Sequence, residues 1–141
     1  MPCFWDSSAV IRICVPGQAS SRARKLLRSQ PPVVWWATVV EVRGALERLH
    51  REHAIATDAY VNSRHRLEDL LGSWREIQPV DMVRDLAGVQ LERFVLRTAD
   101  ALQLAAALVW CKQNPRGRLF VCNDARLTVA AQRAGFDIAE A

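Results

Sequence analysis

Apolar positions follow two rhythms that alternate along the chain. Short runs of β-branched and aromatic residues at Cys3–Trp5 and 33–36, and a clear run at 118–122, predict strands; 77–80 and 136–139 are shorter strand candidates. Helical spacing fills the gaps. Residues 8–15 read as one or two helical turns ended by Pro16-Gly17, and 20–29 as a basic helix broken by Pro31-Pro32. Thr38 opens a long helix, in which Val42, Ala45, Leu46 and Leu49 recur at i, i+3, i+4, i+7 and mark one buried face. Thr57 or Asp58 is placed to cap a second helix running to about Leu71, with Gly72 as its stop. The two form a hairpin with a charged outer side. Further helices are predicted over 83–94, 99–112 and Ala125–Ala134, the last followed by Gly135; Asn114-Pro115-Arg116-Gly117 is a turn. Strands alternating with helices predict an α/β domain, a three-layer sandwich around a mainly parallel sheet.

Size and composition narrow this reading little. A chain of 141 residues, 50% hydrophobic and 24% charged, fits one globular domain spanning 1–141. The apolar stretches at 33–40 and 104–111 are too short to cross a bilayer, and no basic leader with an apolar core opens the sequence, so a soluble cytoplasmic protein is expected. Cys3, Cys14, Cys111 and Cys122 show no Cys-x-x-Cys or zinc spacing and are expected to be buried reduced thiols. His50, His53 and His65 lie on charged helical stretches and are expected at the solvated surface.

In open parallel sheets, sites form at the carboxyl ends of the strands. Asp6 directly follows the first strand, and Asp124 follows the 118–122 strand after Asn123. Glu41 and Asp100 lie in the first turns of the helices after 33–36 and from near Thr98. Each has a plainer explanation. Glu41 completes a Thr38-x-x-Glu capping box, Asp124 caps a helix, Asp100 complements a helix dipole, and Asp6 is a turn residue. Those explanations do not account for all four falling at one sheet edge. Carboxylates brought together repel and raise one another's pKa, a penalty a divalent cation removes. Hard oxygen ligands favour Mg²⁺ or Mn²⁺, which activate water and stabilise charge on a phosphoryl group.

Charge supports a polyanionic substrate. The chain carries 19 basic and 15 acidic residues, a net +4; with the four acids assigned to one site, 19 face 11, or +8. Arg12, Arg22, Arg24, Lys25 and Arg28 form one basic group, and Arg43, Arg48 and Arg51 another; singly, each fits a solvated helix face. P-loop, dinucleotide-binding and Gly-x-Ser-x-Gly patterns are missing, so nucleotide-dependent and serine-hydrolase chemistry lack a foothold. A haloacid-dehalogenase phosphatase needs Asp-x-Asp after the first strand and a later Lys; Ser8 holds the second position, and the lysines are Lys25 and Lys112.

Asp6-Ser7-Ser8-Ala9, Glu41, Arg97-Thr98-Ala99-Asp100-Ala101-Leu102-Gln103-Leu104-Ala105 and Val121-Cys122-Asn123-Asp124-Ala125 together resemble PIN-domain ribonucleases, specifically the VapC-type toxins of bacterial toxin–antitoxin pairs. The resemblance spans essentially the whole chain. It implies a PIN-like α/β/α fold and Mg²⁺- or Mn²⁺-dependent RNA cleavage by Asp6, Glu41, Asp100 and Asp124, with Ser8 as the hydroxyl beside the first acid. It further implies a homodimer silenced by a cognate antitoxin, received in part by the helical hairpin over 38–71. Cys122 stands where the family commonly has Thr or Ser, which leaves a side-chain hydroxyl contact in question. The alternatives are an RNA-processing nuclease without a toxin role and a non-catalytic PIN-like binding module.

Overall fold

The computed structural model describes residues 2–141. Five three-residue strands, β1 (Cys3–Trp5), β2 (Val33–Trp35), β3 (Arg75–Ile77), β4 (Leu119–Val121) and β5 (Asp137–Ala139), form one sheet in the order β3-β2-β1-β4-β5. Every ladder is parallel. Seven helices connect them: α1 (Ser7–Cys14), α2 (Ser21–Ser29), α3 (Thr38–Arg51), α4 (Thr57–Leu71), α5 (Asp81–Arg93), α6 (Thr98–Trp110) and α7 (Ala125–Ala134). This is the three-layer α/β/α architecture that the alternation predicts.

Both sheet faces are covered, which is why β1, β2 and β4 read as near-continuous apolar runs. The pleat sends alternate side chains to opposite cores. Phe4, Val33, Trp35 and Phe120 pack beneath α5, α6 and α7, with Ala101, Leu104 and Ala105 of α6 at the centre. Cys3, Trp5, Val34 and Val121 pack on the other face against Val10 of α1, Ala23 of α2, Val42 and Leu46 of α3, and Leu67 of α4. No helix among the described residues is long and apolar enough to cross a membrane.

Several sequence expectations shift. The third strand is Arg75–Ile77 rather than 77–80: Trp35 pairs with Ile77, and Pro79 lacks the N–H to continue a ladder. Charge at Arg75 and Glu76 hid it, and such charge is a feature of sheet edges. The α4 N-cap is Ala56, not Thr57 or Asp58, and makes no side-chain capping bond. His50 is half-buried and stacks on Tyr60 at 4.0 Å, whereas His53 and His65 are exposed as expected. All four cysteines are buried, and none forms a disulfide. Gly135 closes α7 in the left-handed conformation (φ 114°), which a side chain there would strain.

Candidate active site

Strands β1, β2 and β3 follow one another in one direction across the sheet; the chain then crosses back and adds β4 and β5 on the far side of β1. The connections on the two sides of β1 run over opposite faces, so the carboxyl ends of β1 and β4 mark the switch point of the sheet, where ligands bind in open parallel sheets. Asp6 and Asp124 emerge there. The Asp6 N–H donates to the Val121 carbonyl (3.1 Å), carrying the β1–β4 pairing into the site.

Asp6 is the N-cap of α1 and is 3% exposed. Its Oδ1 accepts from the Ala9 N–H (3.0 Å), and the Ser8 hydroxyl lies 2.8 and 2.9 Å from its two carboxylate oxygens. Ser8 Oγ in turn accepts from the Asn123 N–H (2.9 Å), so one hydroxyl ties the β1–α1 turn to the β4–α7 turn. This gives Ser8 a concrete positioning contact on the first acid. Burial pushes the Asp6 carboxyl up to about 6, against the pull of the Ala9 and Ser8 hydrogen bonds and the Cys122 thiol. None of the ion pairs among the described residues involves Asp6, Glu41, Asp100 or Asp124.

Asp124 caps α7 through Oδ1, which accepts from the Leu127 N–H (2.8 Å), so its structural explanation is realised. Glu41 and Asp100 are half-buried in the first turns of α3 and α6. The capping-box explanation of Glu41 does not hold: the N-cap is Ala37 in helical conformation, and Thr38 is already inside the helix. Burial raises the Glu41 carboxyl, hydrogen bonds from Gln103 and Ser7 lower it, and the charge of Asp100 raises it. Asp100 is raised by burial and by the charge of Asp124, and lowered by Arg97 and Arg126. The charge of Asp124 therefore reaches Asp100 and that of Asp100 reaches Glu41, while Asp6 sits buried beside Asp124's turn.

Among the described residues, no three His, Cys, Asp or Glu side chains converge closely enough to hold a metal ion as they stand. The donor set nevertheless fits Mg²⁺. That ion takes only one or two protein carboxylates and keeps water in its remaining positions. It would also neutralise a buried, unpaired carboxylate and the coupled row beside it.

Three features escaped the sequence reading. Gln103, Ser7 and Thr38 form a buried polar cluster against Glu41 (Gln103 Nε2 to Glu41 Oε1, 3.0 Å). Arg97 and Arg126, rather than the two basic groups on earlier helices, are the cations whose charge acts on Asp100. Arg43 of the second basic group is instead paired with Glu68 (2.9 Å) across the α3–α4 hairpin. The signal for Gln103 was available: it is the lone amide in α6, one turn after Asp100.

Cys122 stands beside this network. Its Sγ accepts from the Asp124 N–H (3.3 Å) and lies 3.9 Å from Ser8 Oγ. Burial, then the charge of Asp6, pushes the thiol up to about 12, so it remains S–H, a weak donor and not a thiolate ligand. Cys122→Thr supplies a stronger hydroxyl donor in the same place. The expected outcome is a fold equal to or up to about 1 kcal/mol more stable than the wild type, checked by thermal melts, because a hydroxyl-for-thiol exchange alters one hydrogen bond.

No protein-family model matches the chain, and no curated protein matches it. Its structure is similar to the crystal structure of PAE2754 from Pyrobaculum aerophilum, with a TM-score of 0.65 and 17% identity, covering 98% of this chain and 89% of that one. At that identity the likeness establishes the shared fold.

Proposed function

We propose that this chain is a Mg²⁺- or Mn²⁺-dependent endoribonuclease of the PIN type, acting as the toxin of a toxin–antitoxin pair. The observation that carries the reading is the placement of Asp6 and Asp124 at the β1–β4 switch point, with Glu41 and Asp100 coupled to the same row. The sequence resemblance to VapC-type toxins points to the same four residues.

When bound, the divalent ion would polarise the scissile phosphate and supply the activated water. The protein side of the chemistry follows from the contacts. Ser8 and the Ala9 amide hold the Asp6 carboxylate in one orientation, and the Leu127 amide holds one oxygen of Asp124. Asp6, raised to about 6 by burial, would give up its remaining proton on holding a cation. Arg97 and Arg126 bring positive charge beside Asp100, where a phosphate would sit. Arg126 also lines a cleft of about 230 Å³ with Arg93, Arg133, Phe94 and Val129, a basic and partly apolar surface suited to the flanking strand of RNA.

The test joins product chemistry to physiology. Attack by water with loss of the 3′ oxygen leaves 5′-phosphate ends, which ligation-based end mapping of cleaved total RNA detects. Expression in a bacterial host is expected to arrest growth, with Asp100→Asn abolishing both effects and a co-expressed antitoxin relieving the arrest. RNA cleavage without growth arrest would point to a processing nuclease. A folded, metal-loaded chain that binds RNA without cutting it would point to a binding module.

A further inference from the structure

Gln103 is 1% exposed, in the second turn of α6. Its Nε2 lies 2.7 Å from Ser7 Oγ, 3.1 Å from Thr38 Oγ1 and 3.0 Å from Glu41 Oε1. The amide nitrogen has two protons for three oxygens. The two hydroxyls can each donate or accept, but an ionised carboxylate only accepts, so Glu41 has first claim on one N–H.

The other end of the amide shows what fixes its orientation. Gln103 Oε1 is buried and has no hydrogen-bond partner. Turning the amide over would put that oxygen 3.0 Å from Glu41 Oε1, acceptor against acceptor. The orientation thus serves Glu41 at the expense of Oε1, an arrangement that buried polar groups normally avoid.

Each partner also stands next to an acid. Ser7 follows Asp6, Thr38 lies one turn before Glu41, and Gln103 lies one turn after Asp100. One side chain in the second turn of α6 therefore bridges the first turns of α1, which follows Asp6, and α3, which carries Glu41.

We propose that Gln103 is a positioning residue that fixes the orientation of the Glu41 carboxylate for a divalent cation and, through Ser7 and Thr38, ties the starts of α1 and α3 to α6. The proposal rests on the metal-site reading above and assigns a role to a residue outside the four acids.

Mn²⁺ binding to the RNA-free full chain, followed by calorimetry and by the paramagnetic resonance of free Mn²⁺, tests it. Gln103→Leu keeps the volume and removes the N–H; it is expected to weaken Mn²⁺ binding about 10- to 100-fold, the usual effect of losing a partner that orients a ligand. Placed on a Glu41→Gln background, the same change is expected to cost less than about 3-fold, because the group it acts through is already gone. Gln90→Leu is the control. Gln90 is 2% exposed, also has an unpartnered Oε1, and makes no side-chain hydrogen bond to the four acids, Ser7 or Thr38; its loss is expected to alter melting temperature and leave Mn²⁺ affinity unchanged. Wild-type affinity in Gln103→Leu overturns the proposal while leaving the metal site standing. So does an equal loss on the Glu41→Gln background, or an equal loss in Gln90→Leu, either of which marks a general packing effect. A wild-type chain that binds no Mn²⁺ removes the metal-site reading itself and the proposal with it.

Discussion

Asp6→Asn is expected to lower RNA cleavage by roughly 10³-fold or more and, in the same protein, to raise the stability of the metal-free fold. The two effects have one cause. Asp6 is 3% exposed, has no cationic partner among the described residues, and is pushed up to about 6 by burial. An acid whose folded pKa lies above its unfolded value binds more protons in the native state. Stability therefore falls as pH rises through the window from about 4 to about 6, and the full penalty, up to about 3 kcal/mol, is in place at neutral pH. Asn carries no charge to bury and still offers an oxygen to the Ala9 N–H, so the cap of α1 survives. For a chain of this size the gain is up to roughly 5–10 °C in melting temperature at pH 7.5, falling to a small fraction of that at pH 4, where Asp6 is protonated in the folded state and about half protonated in the unfolded chain. Thermal melts in EDTA at the two pH values check it. A variant that is less stable than wild type at pH 7.5, or that cuts RNA at the wild-type rate, contradicts the assignment.

The second large effect comes from the cation. At about 100 times its dissociation constant, a ligand that binds only the folded chain adds about 2.7 kcal/mol, or roughly 5–10 °C here. Mg²⁺ or Mn²⁺ is therefore expected to raise the wild-type melting temperature by that amount, with EDTA reversing it. Because binding displaces the Asp6 proton, the shift grows as pH rises through 6. Asp6→Asn and Asp100→Asn are expected to lose most of it. An equal shift in either variant would place the ion elsewhere on the chain.

Much of this was legible in the residues, for reasons particular to each element. Strands β1, β2 and β4 are buried on both faces, so their apolar runs were plain. β3 lies at an edge with exposed Arg75 and half-buried Glu76, and a hydrophobic pattern cannot mark a strand that presents charge. Asp6 and Asp124 were placed by the rule that sites follow strand ends, and each proves also to be a helix cap; capping uses one oxygen and leaves the carboxylate able to do more. The Thr38 capping box failed because the Trp36 N–H bonds to the Ile77 carbonyl (3.0 Å) and Ala37 is already helical, so α3 begins one residue early. The Thr38 hydroxyl goes instead to Gln103, 65 residues away. Such pairings exist only once the sheet has ordered the helices. The same holds for Arg97 and Arg126, which lie in separate segments and come together only around Asp100.

The most direct measurement is cleavage of total cellular RNA by the purified chain, freed of any bound partner, in Mg²⁺, in EDTA, and with Asp6→Asn. Cuts at discrete sites that need Mg²⁺ and vanish in the variant are the expected result. Intact RNA in every condition, with a folded protein and Mg²⁺ present, would contradict the nuclease assignment.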